Sequence, residues 1–276
     1  NFKKAGGTKV SPVFFFVPTT VRGMIRVGVV GAAGKMGSTV CDAVAAAEGM
    51  ELVAAVDTQN SGAVVHGVTI AGDLKALADA KCDVVVDFTV ADAARTTLPW
   101  LALHGMHAVV GTTGFSDADL ASFQKAFTGS NCLIAANFAI GAVLMMKFAE
   151  QAAPYFETAE IIEFHHNAKA DAPSGTAMAT AQRMAAASDE WAADPTKHEV
   201  VQGARGGVGP GGIHIHGVRM VGMTASQEVI LGTAGQTLVI RHDSNDRVSF
   251  MPGVVLACRK VAGLSERLTM GIDSLL

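Results

Sequence analysis

The sequence predicts an α/β protein: a mostly parallel sheet with helices, followed by a second α+β domain of mixed or antiparallel sheet. Three observations predict it. Short apolar runs alternate with Ala-rich helical stretches from Ile25 to Phe138, and the first of those runs ends in a glycine-rich turn. Beyond Pro210, strand-like runs follow one another without helices between them.

The first strand is Ile25-Arg26-Val27-Gly28-Val29-Val30, and the turn is Gly31-Ala32-Ala33-Gly34-Lys35-Met36-Gly37, which feeds a helix through Ser38 to Val44. The spacing G-x-x-G-x-x-G is a variant of the dinucleotide fingerprint, in which missing side chains let the backbone approach a pyrophosphate at a helix start. The first domain is therefore expected to be Rossmann-like, with Gly31, Ala32, Ala33, Gly34, Lys35 and Met36 against the cofactor. The next strand, Glu51 to Val56, ends at Asp57, 20 residues past Gly37, where a carboxylate can accept hydrogen bonds from ribose hydroxyls. Asp57 favours the free diol of NADH and opposes a 2′-phosphate, while Lys35 lies within reach of one. NADH is thus expected to be preferred, with NADPH also used.

A polar, Gly-containing stretch and a short helix, Leu74 to Ala80, lead to the buried strand Cys82 to Thr89. Strands follow at Ala108 to Gly114 and Cys132 to Phe138. Ligands of parallel sheets bind beyond the carboxyl ends of strands, which places Phe88 and Thr89 over the nicotinamide side of the cleft. By the same logic Gly111, Thr112, Thr113, Ala135, Ala136, Asn137 and Phe138 become cofactor candidates. For any one strand taken alone, Thr, Asn and Gly could equally be tight-turn residues.

Ile140 to Ala153 reads as a helix, and Ala159 to Phe164 as a strand. The segment Glu163-Phe164-His165-His166-Asn167-Ala168-Lys169-Ala170-Asp171-Ala172-Pro173-Ser174-Gly175-Thr176-Ala177 then crowds two imidazoles and an ammonium against a helix start. Helix N-termini carry unpaired N–H groups and partial positive charge, so Ser174, Gly175 and Thr176 could cradle an anion that His165, His166 and Lys169 also face. A small carboxylate is the expected guest. Asp189 to Pro210 is polar, with Gly203 to Pro210 expected as a mobile loop. Strands are expected at Ile213 to Val221, Gln227 to Leu231 and Gln236 to Asp243, then a helix from Phe250 to Val261 and a strand at Leu268 to Ile272. The domain limits read as 24–138 plus 247–276 for nucleotide binding and 139–246 for substrate and subunit contacts. Residues 1–23 read as a leader or upstream extension.

The remaining composition narrows the function. A net charge of −4 over 276 residues gives no nucleic-acid footprint, and no segment reaches the ~18 apolar residues of a membrane span. Cys41, Cys82, Cys132 and Cys258 are scattered without C-x-x-C spacing, which points to a reducing cytoplasm and to no disulfide or zinc framework. His214 and His216 share one strand face, but no carboxylate or cysteine with ligand spacing accompanies them, so no metal is expected. Arg241-His242-Asp243 and Asp246-Arg247 read as structural or inter-subunit charges.

Taken together, Gly31 to Gly37, Gly111 to Gly114, Ala135 to Phe138 and above all the Glu163 to Ala177 segment resemble the dihydrodipicolinate reductase family, from Met24 to the C-terminus. The resemblance implies NAD(P)H-dependent reduction of 4-hydroxy-tetrahydrodipicolinate, by way of dihydrodipicolinate, to tetrahydrodipicolinate in the diaminopimelate route to lysine. It also implies a homotetramer, a cyclic dicarboxylate substrate and His165 as proton donor. The chemistry agrees: hydride addition to a conjugated carbon demands a general acid, and histidine, with an ordinary pKa of ~6.5, keeps its acid form accessible near neutrality. Lys169 would serve as a clamp or second acid, and His166 with Ser174, Gly175 and Thr176 would hold a carboxylate. Two rivals stand beside it. A semialdehyde dehydrogenase would need an activated cysteine, for which Cys132 at a strand end is the candidate, and an NADH-sensing regulatory protein would use the nucleotide domain without turnover.

Overall fold

The structure, a computed structural model, describes residues 23–276, so the expected leader falls, but for Gly23, outside the described residues. The chain runs β1 (Ile25–Val30), α1 (Lys35–Ala46), β2 (Met50–Val56), β3 (Val64–Val65), β4 (Val68–Ala71), α2 (Lys75–Asp79), β5 (Val84–Asp87), α3 (Ala91–Leu103), β6 (His107–Val110), α4 (Asp117–Ala126) and β7 (Cys132–Ile134). It continues through α5 (Ile140–Ala152), β8 (Thr158–His165), α6 (Gly175–Ala187), β9 (Gly207–Val208), β10 (His214–Arg219), β11 (Ala225–Thr233), β12 (Gln236–Ser244), α7 (Met251–Lys260) and β13 (Leu268–Met270).

The first sheet has the order β13-β7-β6-β5-β1-β2-β4-β3, parallel in every pairing except the β3–β4 hairpin. Its central strands are valine runs buried on both faces, as a sheet covered by helices on each side requires. Alternation along each strand sends Val27 and Val29 to a core shared with Val40 and Val44 of α1. Val30, Val85 and Val110 go to a second core with Leu98 and Leu101 of α3 and Phe123 of α4. The strand order reverses between β1 and β5, so the loops that follow these two strands open a crevice at the carboxyl edge, where such sheets bind ligands.

The second sheet, β12-β11-β8-β10-β9, is mixed: β8 and β10 are parallel and the other pairs antiparallel. Ile161, Ile215, Val229 and Leu231 point from it into the first core, where they meet Ala177, Ala181 and Met184 of α6. The opposite face carries Ile162, Phe164 and Ile230, half-buried. Two expectations are corrected here. The stretch after Asp57 contains the β3–β4 hairpin, too short to register as periodicity. Gly203 to Pro210 is pinned: Gly207 and Val208 pair with β10, and Arg205 forks onto Glu160 at 2.5 and 3.1 Å. Among the described residues no helix is long and apolar enough to cross a membrane.

Candidate active site

The glycine turn closes on itself. Gly31 adopts φ +81°, and a Cβ on Gly37 would lie 1.9 Å from the Gly31 carbonyl oxygen, so the tight entry into α1 needs glycine at both places. The Gly31 amide donates to the Val56 carbonyl at 2.9 Å, and the Ala33 amide donates to Asp57 Oδ2 at 2.9 Å, which moors the turn to the end of β2. The other Asp57 oxygen accepts the Gln59 amide at 2.8 Å. Gly34 caps α1 without a side chain and the first turn holds no acidic residue, so the uncapped amides of Lys35 and Met36 suit an anion. Gly31, Gly34, Asp57, Thr58, Phe88 and Thr89 line one cleft of about 530 Å³.

Phe88 and Thr89 both line that cleft, and the loop that carries them is held by Asp87, a fully buried carboxylate the sequence reading passed over. Its Oδ1 accepts from the Thr89 amide (3.0 Å), the Thr89 hydroxyl (2.7 Å) and the Thr112 hydroxyl (2.8 Å), tying together the loops after β5 and β6. Burial pushes the Asp87 carboxyl up despite these threonine donors. Phe88 turns the other way: its ring meets Phe138 at 5.8 Å and fills the space a Cβ on Gly111 would need. Thr113 and Gly111 follow β6, and Ala135, Ala136 and Asn137 follow β7, whose strand partner is β6.

The second cluster stands on one face of the mixed sheet. Gly217, Glu163, Gln227 and His242 are register neighbours across β10, β8, β11 and β12, and Arg219, His165, Ala225 and Ser244 form the row beyond that of Phe164. Residues two apart on a strand share a face, so Glu163 and His165 point together, while His166, just past the end of β8, is exposed. Glu163 is fully buried and saturated. It accepts from His165 Nδ1 at 2.5 Å, from the Ser174 amide at 3.1 Å, and from both Arg219 Nη atoms at 2.8 Å. Gly217 makes room for this fork, since a Cβ there would stand 3.2 Å from Glu163 Oε1. With Nδ1 committed to a carboxylate, Nε2 is the ring nitrogen left for chemistry.

Ser174 caps α6, its hydroxyl accepting the Ala177 amide at 3.2 Å, and α6 has no acidic residue in its first turn. His165, Ser174, Thr176, Asn137, Gln227 and His242 line one cavity between the mixed sheet and the starts of α5 and α6. Lys169 is paired: both oxygens of Asp171 accept from its Nζ at 2.8 Å.

The charges balance in a definite way. Burial opposes ionisation of Glu163, but the Arg219 fork and the His165 ring outweigh it and hold the carboxyl below its ordinary value. Burial also pushes His165 down, and the Lys169 and Arg219 cations add to this; Glu163, already matched by Arg219, does not restore it. The ring is thus held below its ordinary pKa.

His242, read from sequence as a structural or inter-subunit charge, lines the cavity, and its neighbours Arg241 and Asp243 pair with each other on the outer face. Arg219 and Gln227 were passed over because each lies far from the histidine segment in sequence. His214 binds Asp194 and the Arg205 carbonyl, and His216 binds Glu160. Cys132 is buried with its thiol pushed up by desolvation.

A family model described as dihydrodipicolinate reductase, N-terminus, matches residues 25–138, and its C-terminal counterpart matches residues 141–276. A 4-hydroxy-tetrahydrodipicolinate reductase of Thermobifida fusca is 54% identical over 260 residues, spanning 92% of this chain and 99% of that protein. One from Mycolicibacterium smegmatis is 49% identical over 256 residues, spanning 91% and 99%. Among solved structures, a dipicolinate-bound dihydrodipicolinate reductase from Paenisporosarcina sp. TG-14 superposes with a TM-score of 0.84 at 39% identity, covering 92% of this chain and all of that one. An aspartate semialdehyde dehydrogenase II from Vibrio cholerae, at 12% identity and a TM-score of 0.53 over 86% of this chain and 98% of that one, shares the fold alone.

Proposed function

The chain belongs to the dihydrodipicolinate reductase family, and from that premise we propose that it reduces 4-hydroxy-tetrahydrodipicolinate, by way of dihydrodipicolinate, to tetrahydrodipicolinate in the diaminopimelate route to lysine. The observation that carries the reading is the Glu163–His165 pair set beside the start of α6, in one cavity with Ser174 and Thr176.

A pyridine nucleotide, when bound, supplies the hydride, and the turn from Gly31 to Met36 with Asp57 is what would hold it. Phe88, Thr89, Gly111, Thr112, Thr113 and Ala135 to Phe138 form the rest of its proposed bed. Asp57 supports NADH as the better donor, with NADPH accepted through Lys35. The chain's own groups do the remaining work. His166, the Ser174 hydroxyl and the Gly175 and Thr176 amides hold a carboxylate of the cyclic substrate, helped by the partial positive charge of the α6 start. The two substrate carboxylates favour the imidazolium of His165, offsetting the burial that otherwise lowers it, and Nε2 then protonates the carbon next to the one reduced. Lys169 leaves Asp171 to clamp the second carboxylate. Buried Cys132, its thiol pushed up by desolvation, argues against the semialdehyde dehydrogenase alternative.

Residues 24–138 with 247–276 serve as the nucleotide domain and 139–246 as the substrate domain. The half-buried sheet face with Ile162, Phe164 and Ile230 supports self-association, which we take to be that of a homotetramer; the cytoplasm is proposed on the family alone. The test is NADH consumption with substrate made in situ from pyruvate and aspartate semialdehyde by a condensing synthase, repeated with NADPH. Turnover with a modest NADH preference is expected; no turnover sinks the activity, and a hundredfold NADPH preference sinks the role of Asp57.

A further inference from the structure

Asn137 sits where the nucleotide-binding sheet hands the chain to α5, and its amide orientation is fixed by chemistry. Its Oδ1 lies 2.8 Å from the Ala139 amide, which can only donate, so the other end of the side chain must be Nδ2. That nitrogen reaches across to Thr176 Oγ1 at 3.2 Å. A hydroxyl that accepts from an amide cannot aim its own proton back at the donor. The Thr176 proton is thereby directed elsewhere, and the cavity shared with His165 and Ser174 adjoins it. The first turn of α6 is braced from behind as well. Thr180 donates its hydroxyl to the Thr176 carbonyl at 2.8 Å and accepts from Gln227 Nε2 at 2.7 Å.

We infer that the side chain of Asn137 is a positioning group for the substrate, while its backbone stays with the proposed cofactor bed: by occupying a lone pair of Thr176 Oγ1, the side-chain amide makes that hydroxyl a donor to a substrate carboxylate. This rests on the proposed reading of the cavity as a dicarboxylate site. Replacing Asn137 by alanine frees the hydroxyl to rotate, and replacing it by aspartate gives the hydroxyl an anionic acceptor and sets a negative charge beside the incoming carboxylate. Replacing Thr176 by valine removes the hydroxyl at nearly constant shape.

The experiment measures inhibition by dipicolinate, KM for the substrate, kcat and NADH affinity in Asn137→Ala, Asn137→Asp, Thr176→Val and the Asn137→Ala/Thr176→Val double variant. Expected are a rise of roughly tenfold in the inhibition constant and KM for Asn137→Ala and for Thr176→Val, the size of one lost hydrogen bond to a charged group, and a larger rise for Asn137→Asp. The double variant should lose no more than either single one, because both remove the same interaction, and kcat and NADH affinity should stay within about threefold. Multiplying losses in the double variant, or a loss of NADH affinity matching that of the inhibitor, would overturn the inference. Failure of dipicolinate to compete in the unmodified protein would instead overturn the dicarboxylate reading beneath it.

Discussion

Replacing Glu163 by glutamine tests how the site is held together. The carboxylate receives four hydrogen bonds: His165 Nδ1 and one Arg219 nitrogen on Oε2, and the Ser174 amide and the other Arg219 nitrogen on Oε1. Glutamine can present its oxygen to only one of these pairs and must turn its NH2 toward the other, against an Arg219 N–H in either orientation. Two charge-assisted bonds are lost in either orientation, at about 1.5–3 kcal/mol each. Arg219 keeps about a fifth of its side chain in solvent and recovers part of this, so a stability loss of about 2–4 kcal/mol is expected in urea unfolding. With the ring of His165 no longer oriented and its tautomer no longer dictated, kcat should fall by about 10²–10³, equal to about 2.7–4.1 kcal/mol of barrier. NADH affinity, governed by the glycine turn, should hold. Steady-state NADH consumption and fluorescence titration read the two. A variant with kcat within threefold of the parent, stable and correctly folded, would refute the claim that Glu163 orients His165.

The remaining expectations follow from the same geometry. If the acid form of His165 reacts, kcat/KM should fall as pH rises through an apparent pKa below ~6.5, because burial lowers the ring in the free protein. The corresponding pKa in kcat should lie higher, since bound carboxylates favour the imidazolium; pH–rate profiles check both, and equal values would contradict the electrostatic account. Lys169→Ala should raise KM and lower kcat together, with steady-state kinetics showing an unchanged KM if the lysine stays with Asp171 throughout. Gly37→Ala should abolish detectable NADH binding in a titration and cost about 1–3 kcal/mol of stability, because its Cβ would fall 1.9 Å from the Gly31 carbonyl oxygen.

Much of the first sheet was legible in the sequence, because buried parallel strands read as unbroken valine runs and the glycine turn punctuates them. The short β3–β4 hairpin was not, since two- and four-residue strands leave no period to detect. For the site, the strand-to-helix segment carrying His165, Ser174 and Thr176 was visible as a crowding of charge at a helix start. Its supports were not: Arg219 and Gln227 reach Glu163 and Thr180 only because β10 and β11 flank β8, a pairing that no local pattern encodes. Asp87 was hidden differently. An aspartate ending a valine run reads as a strand terminus, and only the hydroxyls of Thr89 and Thr112 converging on it reveal that it ties the loops after β5 and β6 together.

In the proposed reaction His165 delivers the proton to a cyclic dicarboxylate reduced by the bound nucleotide. The most direct test is NADH consumption by His165→Ala with substrate generated in situ, alongside a titration of NADH binding. This variant should show kcat lower by about 10²–10⁴ with NADH affinity intact. Full turnover would contradict that role of His165.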